Sequence, residues 1–253
     1  MIYGLYLSAT GIMANSYRQD VLANNLANSE TVGFKRNFAT FTERQTAAQE
    51  LNQPGEWSQS PLENIGGGML VSKSDVDRQQ GDLEQTGNAL DMAIRGDGFF
   101  AVTNGLDTHL TRNGQMVLDG KGQLVMANAR SQKILDVNHK PITLEAGRNT
   151  TISDDGLITQ DGQAVARIGL FDVPDRNLLA QQGGTLISYP YANDLRQATG
   201  EVKSGFVEHS NVDPTTELTE LMDAQRQLEA NANMIRYQDS TLQRLVNDVG
   251  KIS

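Results

Sequence analysis

Hydrophobic positions recur at helical spacing at both ends of the chain and at strand spacing in the middle. Near the N-terminus, Leu5, Ala9, Ile12, Ser16, Gln19, Ala23 and Leu26 alternate steps of four and three without an intervening proline, which predicts a helix over residues 4–28. Asn24, Asn25 and Asn28 crowd its end and Gly33 follows, so the helix stops before that glycine. The C-terminal pattern is stronger. Asp213-Pro214 supplies an N-cap and a first helical residue, and Glu217 and Glu220 lie near the positive end of the helix dipole. From there Leu218, Leu221, Gln225, Leu228, Ala232, Ile235, Asp239, Leu242, Val246 and Val249 keep the 3-4 spacing of a coiled-coil seam as far as Gly250. Such a helix is about 50 Å long. Its stripe is too narrow for burial inside a globule and too apolar to remain wet, so both seams are expected to pair with each other or with those of other subunits.

Between the helices the text changes to short apolar runs and turns. Phe99-Phe100-Ala101-Val102, Gln115-Met116-Val117-Leu118, Gln123-Leu124-Val125-Met126 and the run 164–168 read as strands. Asn113-Gly114, Asp119-Gly120, Asp155-Gly156 and Asp161-Gly162 read as hairpin turn pairs, because both central positions of such turns take positive φ. No strand–helix alternation is present, which excludes a doubly wound sheet. The expected fold is α+β: paired, coiled-coil-like terminal helices around a central antiparallel all-β domain. Four stretches follow along the chain: 1–36, the N-terminal helix; 37–89, an extended arm and connecting strands; 90–200, the β-rich domain; and 201–253, the C-terminal helix with its approach. Residues 42–64 are rich in Thr, Glu, Gln, Asn and Ser and read as an exposed arm, leading through Gly66-Gly67-Gly68 into Met69-Leu70-Val71.

Charge and composition remove several functions. The 253 residues carry 21 Lys+Arg against 31 Asp+Glu, a formal net charge of −10, which opposes general binding to nucleic acid or anionic membranes. Without cysteine there is no disulfide framework, thiolate zinc site or cysteine nucleophile. No apolar run approaches the roughly 20 residues of a membrane span, and residues 1–10 lack the basic start of a cleavable signal peptide. His109, His139 and His209 sit in separate segments without metal-ligand spacing, and Asp97, Asp119, Asp155 and Asp161 sit beside glycines as turn residues. Neither a nucleophile elbow nor a phosphate loop occurs. No catalytic, cofactor or metal site is therefore expected. Lys35-Arg36 is read as a surface pair, and Phe34 and Phe38 as apolar anchors where the chain leaves the helix. The polar interruptions Ser16, Gln19, Gln225 and Asp239 are read either as exposed positions or as register-selecting ones.

Several motifs occur together and in order. Asn24, Asn25, Leu26 and Asn28 lead into Thr31-Val32-Gly33-Phe34-Lys35-Arg36. Gln80-Gly81-Asp82-Leu83, Gly96-Asp97-Gly98-Phe99-Phe100 and Thr111-Arg112-Asn113-Gly114 follow. Gly205-Phe206-Val207-Glu208-His209-Ser210-Asn211-Val212-Asp213 then precedes Gln225-Arg226 and Asn231. This arrangement resembles the bacterial flagellar rod and hook protein family over most of the chain. The length and single modest β domain are similar to rod proteins of the FlgG and FlgF types, and the arm at 42–68 resembles the extended segment of distal ones. One departure is Leu228, where the family often has an aromatic two residues after Gln-Arg. The resemblance implies a structural subunit of the rod, exported by the flagellar type III apparatus without a cleavable signal. It implies helical polymerisation through the terminal helices in a periplasm-spanning axis that transmits torque from motor to hook. The implied partners are copies of itself, other rod and hook proteins, and bushing rings around the rod. The expected assembly seam is Leu5, Ile12, Leu22, Leu26, Leu218, Leu221, Leu228, Ile235, Leu242, Val246 and Val249. A secreted hydrolase and an external hook-associated interaction protein are the alternatives.

Overall fold

The computed structural model describes residues 2–44, 68–72, 74–127, 132–191 and 194–249. The chain divides into two compact units, each built from discontinuous stretches. One comprises Met1–Leu26, Asn37–Asp75 and Asp213–Ser253; the other comprises Ala27–Arg36 and Val76–Val212.

The first unit contains the two helices. Helix α1 spans Ile2–Ala27 and α2 spans Pro214–Val249. The start of α2 follows from its cap: the Thr215 amide donates to Asp213 Oδ1 (3.1 Å), and Pro214 needs no partner for a missing N–H. This unit also holds the short strand Asn37–Phe38 and a two-stranded antiparallel ribbon, Phe41–Glu43 with Met69–Val71. The ribbon lies on α1, where Tyr17 meets Phe41 edge to face at 6.3 Å and the Tyr6 hydroxyl accepts from Arg44 (3.1 Å). Of the arm expected at 42–68, residues 45–67 lie outside the described residues. Among the described residues no helix is long and apolar enough to cross a membrane.

The second unit is β-rich. Its main sheet centres on the strand Phe99–Thr103, which pairs with Thr108–Thr111 along one edge. Along the other edge it pairs with Lys133–Ile134 at one end and Leu170–Asp172 at the other. The sheet continues outward through Leu186–Ser188 to Ala180–Gln181 on one side, and through Leu124–Met126 to Met116–Leu118 on the other. All these pairings are antiparallel. Side-chain alternation explains why the central strand reads as a continuous apolar run. Phe100 and Val102 enter one core with Ile94, Met116, Leu124 and Ile158. Phe99 and Ala101 enter a second, on the opposite face, with Leu110, Leu135, Phe171 and Ile187.

The β region is wider than the expected 90–200. Glu201–Ser204 pairs with Met92–Arg95, and Phe206–Glu208 pairs with Leu83–Gln85. Gly205, at φ 78°, separates those two C-terminal strands. The turn pairs divide by role. Asp161 and Gly162 both take positive φ (51° and 83°) and join Leu157–Gln160 to Gln163–Arg167 as a tight hairpin. Asn113-Gly114 joins no hairpin, because Thr108–Thr111 and Met116–Leu118 have other partners. Gly114 answers a different need: a Cβ there would sit 1.5 Å from the Met92 carbonyl oxygen.

Candidate assembly site

Within the helical unit, α1 and α2 run antiparallel, as their contacts require. Asn25 Nδ2 donates to Glu217 Oε2 (3.1 Å), Arg18 pairs with Glu220 (3.2 Å) and Gln19 donates to Gln225 (2.7 Å). Farther along, Asn231 lies over Gly11 and Gln238 over Gly4. Asn25 also grips the strand residue Asn37 twice, donating to its carbonyl and accepting from its amide, each at 2.9 Å. It is thus a buried bridge, beyond the helix-terminating role its composition suggested.

The seam residues fall into two sets. Leu22 is buried, and Ile12, Leu26, Leu221, Leu228, Ile235 and Leu242 are half-buried. Leu5, Leu218 and Val246 are open to solvent at 37%, 50% and 71%. Val249 belongs to the α2 backbone, but its side chain lies outside the described residues. The face of α2 turned to α1 therefore shares Leu221, Leu228, Ile235 and Leu242 with the expected stripe. Its alternate members are Glu217, Ala224, Asn231 and Gln238, one residue before Leu218, Gln225, Ala232 and Asp239. The reason lies on α1, whose facing positions include Gly4, Gly11, Arg18 and Asn25. Small and polar residues there accept polar partners, and a count of apolar positions overlooks them.

In the β-rich unit, three of the sequence motifs meet at one carboxylate. Glu208 is fully buried and accepts from Lys35 Nζ (2.5 Å), Arg112 Nη1 (3.2 Å) and the Gly81 amide (3.2 Å). Lys35 also donates to the Gln79 carbonyl (2.6 Å). Arg112 donates to the Gly96 carbonyl (2.7 Å) and lies 5.3 Å from the Phe99 ring centroid. The Gly33 amide donates to the Glu208 carbonyl (2.7 Å), and Asn211 Oδ1 accepts from the Arg36 amide (2.8 Å). Gly33, at φ +70°, lies so near the Arg112–Asn113 backbone that a Cβ would meet the Asn113 nitrogen at 2.3 Å. Burial drives the Lys35 ammonium below its ordinary 10.5, and the charge and hydrogen bond of Glu208 offset this only in part. The surface reading of Lys35 is thereby overturned: two hydrogen-bonded acceptors let a cation be buried at that point. Each charged group in this node has a partner within it, although Arg112 Nε is left buried without one, and the Glu208 carboxylate is closed to a substrate.

The remaining signature residues are dispersed. Phe34 and Val212 are buried, while Phe38 is exposed rather than an anchor. Asn24 is exposed, and Asn28 accepts from the Thr31 hydroxyl (3.2 Å). Ser210 accepts from the Val212 amide (3.3 Å), and the exposed Arg226 lies 3.8 Å from Asp223. Of the histidines, His109 is buried, His139 stacks on Phe171 at 4.6 Å, and His209 pairs with Glu84.

Comparison with known proteins gives this geometry a context. Residues 5–35 match the family described as flagella basal body rod protein. Residues 93–160 match the flagellar hook protein FlgE/F/G D1 domain, and 203–248 the flagellar basal body rod FlgEFG protein C-terminal. The chain is 32% identical to the flagellar basal-body rod protein FlgG of Bacillus subtilis, over 98% of this chain and 99% of that one. The chain belongs to the flagellar basal-body rod protein family. Within that family it is also 29% identical to the rod protein FlgF of Mesorhizobium japonicum, over 98% of each chain. The flagellar hook-basal body complex protein FlhO of Bacillus subtilis is 27% identical over the whole of both chains. Of the residues that meet in this node, Lys35, Arg112 and Glu208 fall one in each matched region, and Gly81 lies between the first two regions.

Proposed function

We propose that this protein is a structural subunit of the flagellar rod, with a mechanical rather than a catalytic role, and that its terminal helices polymerise with those of neighbouring copies. The observation that carries this reading is the apolar surface that helix pairing within one chain leaves uncovered. Leu5 and Met13 on α1, and Leu218, Met222, Met234, Tyr237 and Val246 on α2, all remain exposed. Burying a large aliphatic side chain is worth roughly 1.5–3 kcal/mol before ordering costs, so helical stacking of copies has a ready driving force. Coiled-coil-like packing of α1 and α2, within and between copies, and the seam from Leu5 to Val249 belong to this proposal. So do export by the flagellar type III apparatus without a cleaved signal, a periplasm-spanning position, contact with rod, hook and bushing proteins, and transmission of torque. Agreement with both FlgG-type and FlgF-type relatives supports a rod position; the arm that resembles the distal type favours the distal segment.

The test is imaging of basal bodies from a strain lacking this gene beside the parent. A rod present but missing its outer section is expected. A rod truncated near its base would move the protein to the proximal segment, and intact rods with normal motility would defeat the assignment.

A further inference from the structure

The contacts between α1 and α2 follow one arithmetic. Gly4 faces Gln238, Gly11 faces Asn231, and Asn25 faces Glu217. Every seven residues forward on α1 is matched by seven residues back on α2. The intervening step sets Arg18 opposite the fully buried Ala224, and the guanidinium passes on to Glu220 (3.2 Å). At each layer a large group meets a small one, or a donor meets an acceptor. A Cβ on Gly4 would stand 2.9 Å from Gln238 Nε2, and one on Gly11 would stand 2.9 Å from Asn231 Nδ2. Each glycine lies under the end of an amide side chain, which can swing aside from a lone Cβ but must be displaced by a longer side chain.

We infer that these layers read the register of the helix pair. A slip of one heptad in one direction puts Gln238 on Gly11, which is tolerated, but it sets Asn231 against Arg18 and Ala224 against Asn25. A slip in the other direction sets Asn231 on Gly4 and Ala224 on Gly11, and takes Glu217 away from Asn25. Slips of three or four residues bring the long amides onto positions that carry a side chain. The leucines and isoleucine of α2, repeating every seven residues, make no such distinction, because a heptad slip replaces one with another. Register reading thus falls to Gln238, Asn231 and Glu217. Gln225 is an exposed partner of Gln19, and Asp239 is an exposed acceptor for Gln243 (3.4 Å). This inference concerns the pairing within one chain and stands apart from the position of the protein in the rod.

A chain without cysteine allows a direct test by crosslinking the full-length protein. Q19C/Q225C joins two side chains in contact at the observed register, whereas Q19C/L218C and Q19C/A232C report slips of one heptad either way. With a short bismaleimide, only the first pair is expected to crosslink. Adding Gly11→Asn is expected to lower that yield or pass it to an offset pair, and the swap G11N/N231G to restore it. Restoration cannot come from general helix stabilisation, because the swap puts glycine in the middle of α2. Equal crosslinking of in-register and offset pairs in the parent would overturn the inference, as would a swap no better than Gly11→Asn alone. Should Gly11→Asn fail to fold, the parent comparison still decides.

Discussion

Glu208 is the buried carboxylate at the centre of the β-rich unit's ion node. Lys35, Arg112 and the Gly81 amide converge on its carboxylate from three parts of the sequence, at full burial. Replacing it with glutamine keeps the shape and removes the charge, leaving two buried cations facing a neutral amide. Breaking a buried pair in this way costs about 3–5 kcal/mol. Glu208→Gln is therefore expected to lower the urea midpoint sharply with an unchanged slope; a midpoint near that of the parent would mean the node is dispensable. Asp172 illustrates the weaker, exposed case. Partial burial pushes its carboxyl up, but hydrogen bonds from Arg176 and the Val173 amide, with the Arg176 charge, outweigh this and hold it below its ordinary 3.8. A depressed carboxyl contributes stability above its unfolded pKa and loses it as pH falls through the folded value. Arg176→Ala should thus cost something under about 1 kcal/mol at neutral pH, since both groups are partly in water. That difference should fade below pH 3.8, as denaturation at the two pH values would reveal.

Elements built from local rules were legible in the sequence, and those built from distant partners were not. The start of α2 was legible because Asp213 and Pro214 act on the next few residues: Asp213 accepts from the Thr215 amide and, at 2.5 Å, from the Thr216 hydroxyl. Asp213→Ala should cost about 1 kcal/mol. It should also speed amide exchange in the first turn of α2, while the middle of the helix stays protected; unchanged exchange there would show that the cap contributes nothing. The strand Phe99–Thr103 was legible because burial on both faces leaves an unbroken apolar run. The facing register of α1 and α2 was half legible. Apolar spacing found Leu221, Leu228, Ile235 and Leu242, but the alternate layer is written in Gly4, Gly11 and Asn25, whose meaning depends on the residue opposite. The Glu208 node was illegible as chemistry, since Lys35 and Glu208 are 173 positions apart and neither carries a local sign of burial. Only the motifs around them marked the place, through family resemblance. In the sequence Gly33 and Gly114 look like local punctuation, whereas each makes room for a distant backbone.

At the scale of the whole molecule, the proposed function divides stability from assembly between the two units. The β-rich unit closes its own cores, and its central ion node pairs Glu208 with Lys35 and Arg112 inside the unit. The helical unit leaves large side chains in water on both of its helices. If those side chains serve only the single chain, their loss is of little consequence; if they are the seam between copies, their loss stops assembly and leaves the chain folded. Leu218 and Val246 separate these cases, because they belong to the expected stripe yet are half exposed or more. Replacing both with serine should change the thermal midpoint of the isolated protein very little, since exposed substitutions outside caps and cores usually fall within about 0.5 kcal/mol each. In the cell the same pair should abolish or sharply reduce motility and leave basal bodies without complete rods, although the variant is made in normal amount. Replacing Leu22, which is buried, is the necessary contrast: Leu22→Ala should lower the stability of the isolated chain by about 2–5 kcal/mol. A folded, exported L218S/V246S protein that builds normal rods would remove both residues from the seam and leave the contact between copies to other exposed side chains.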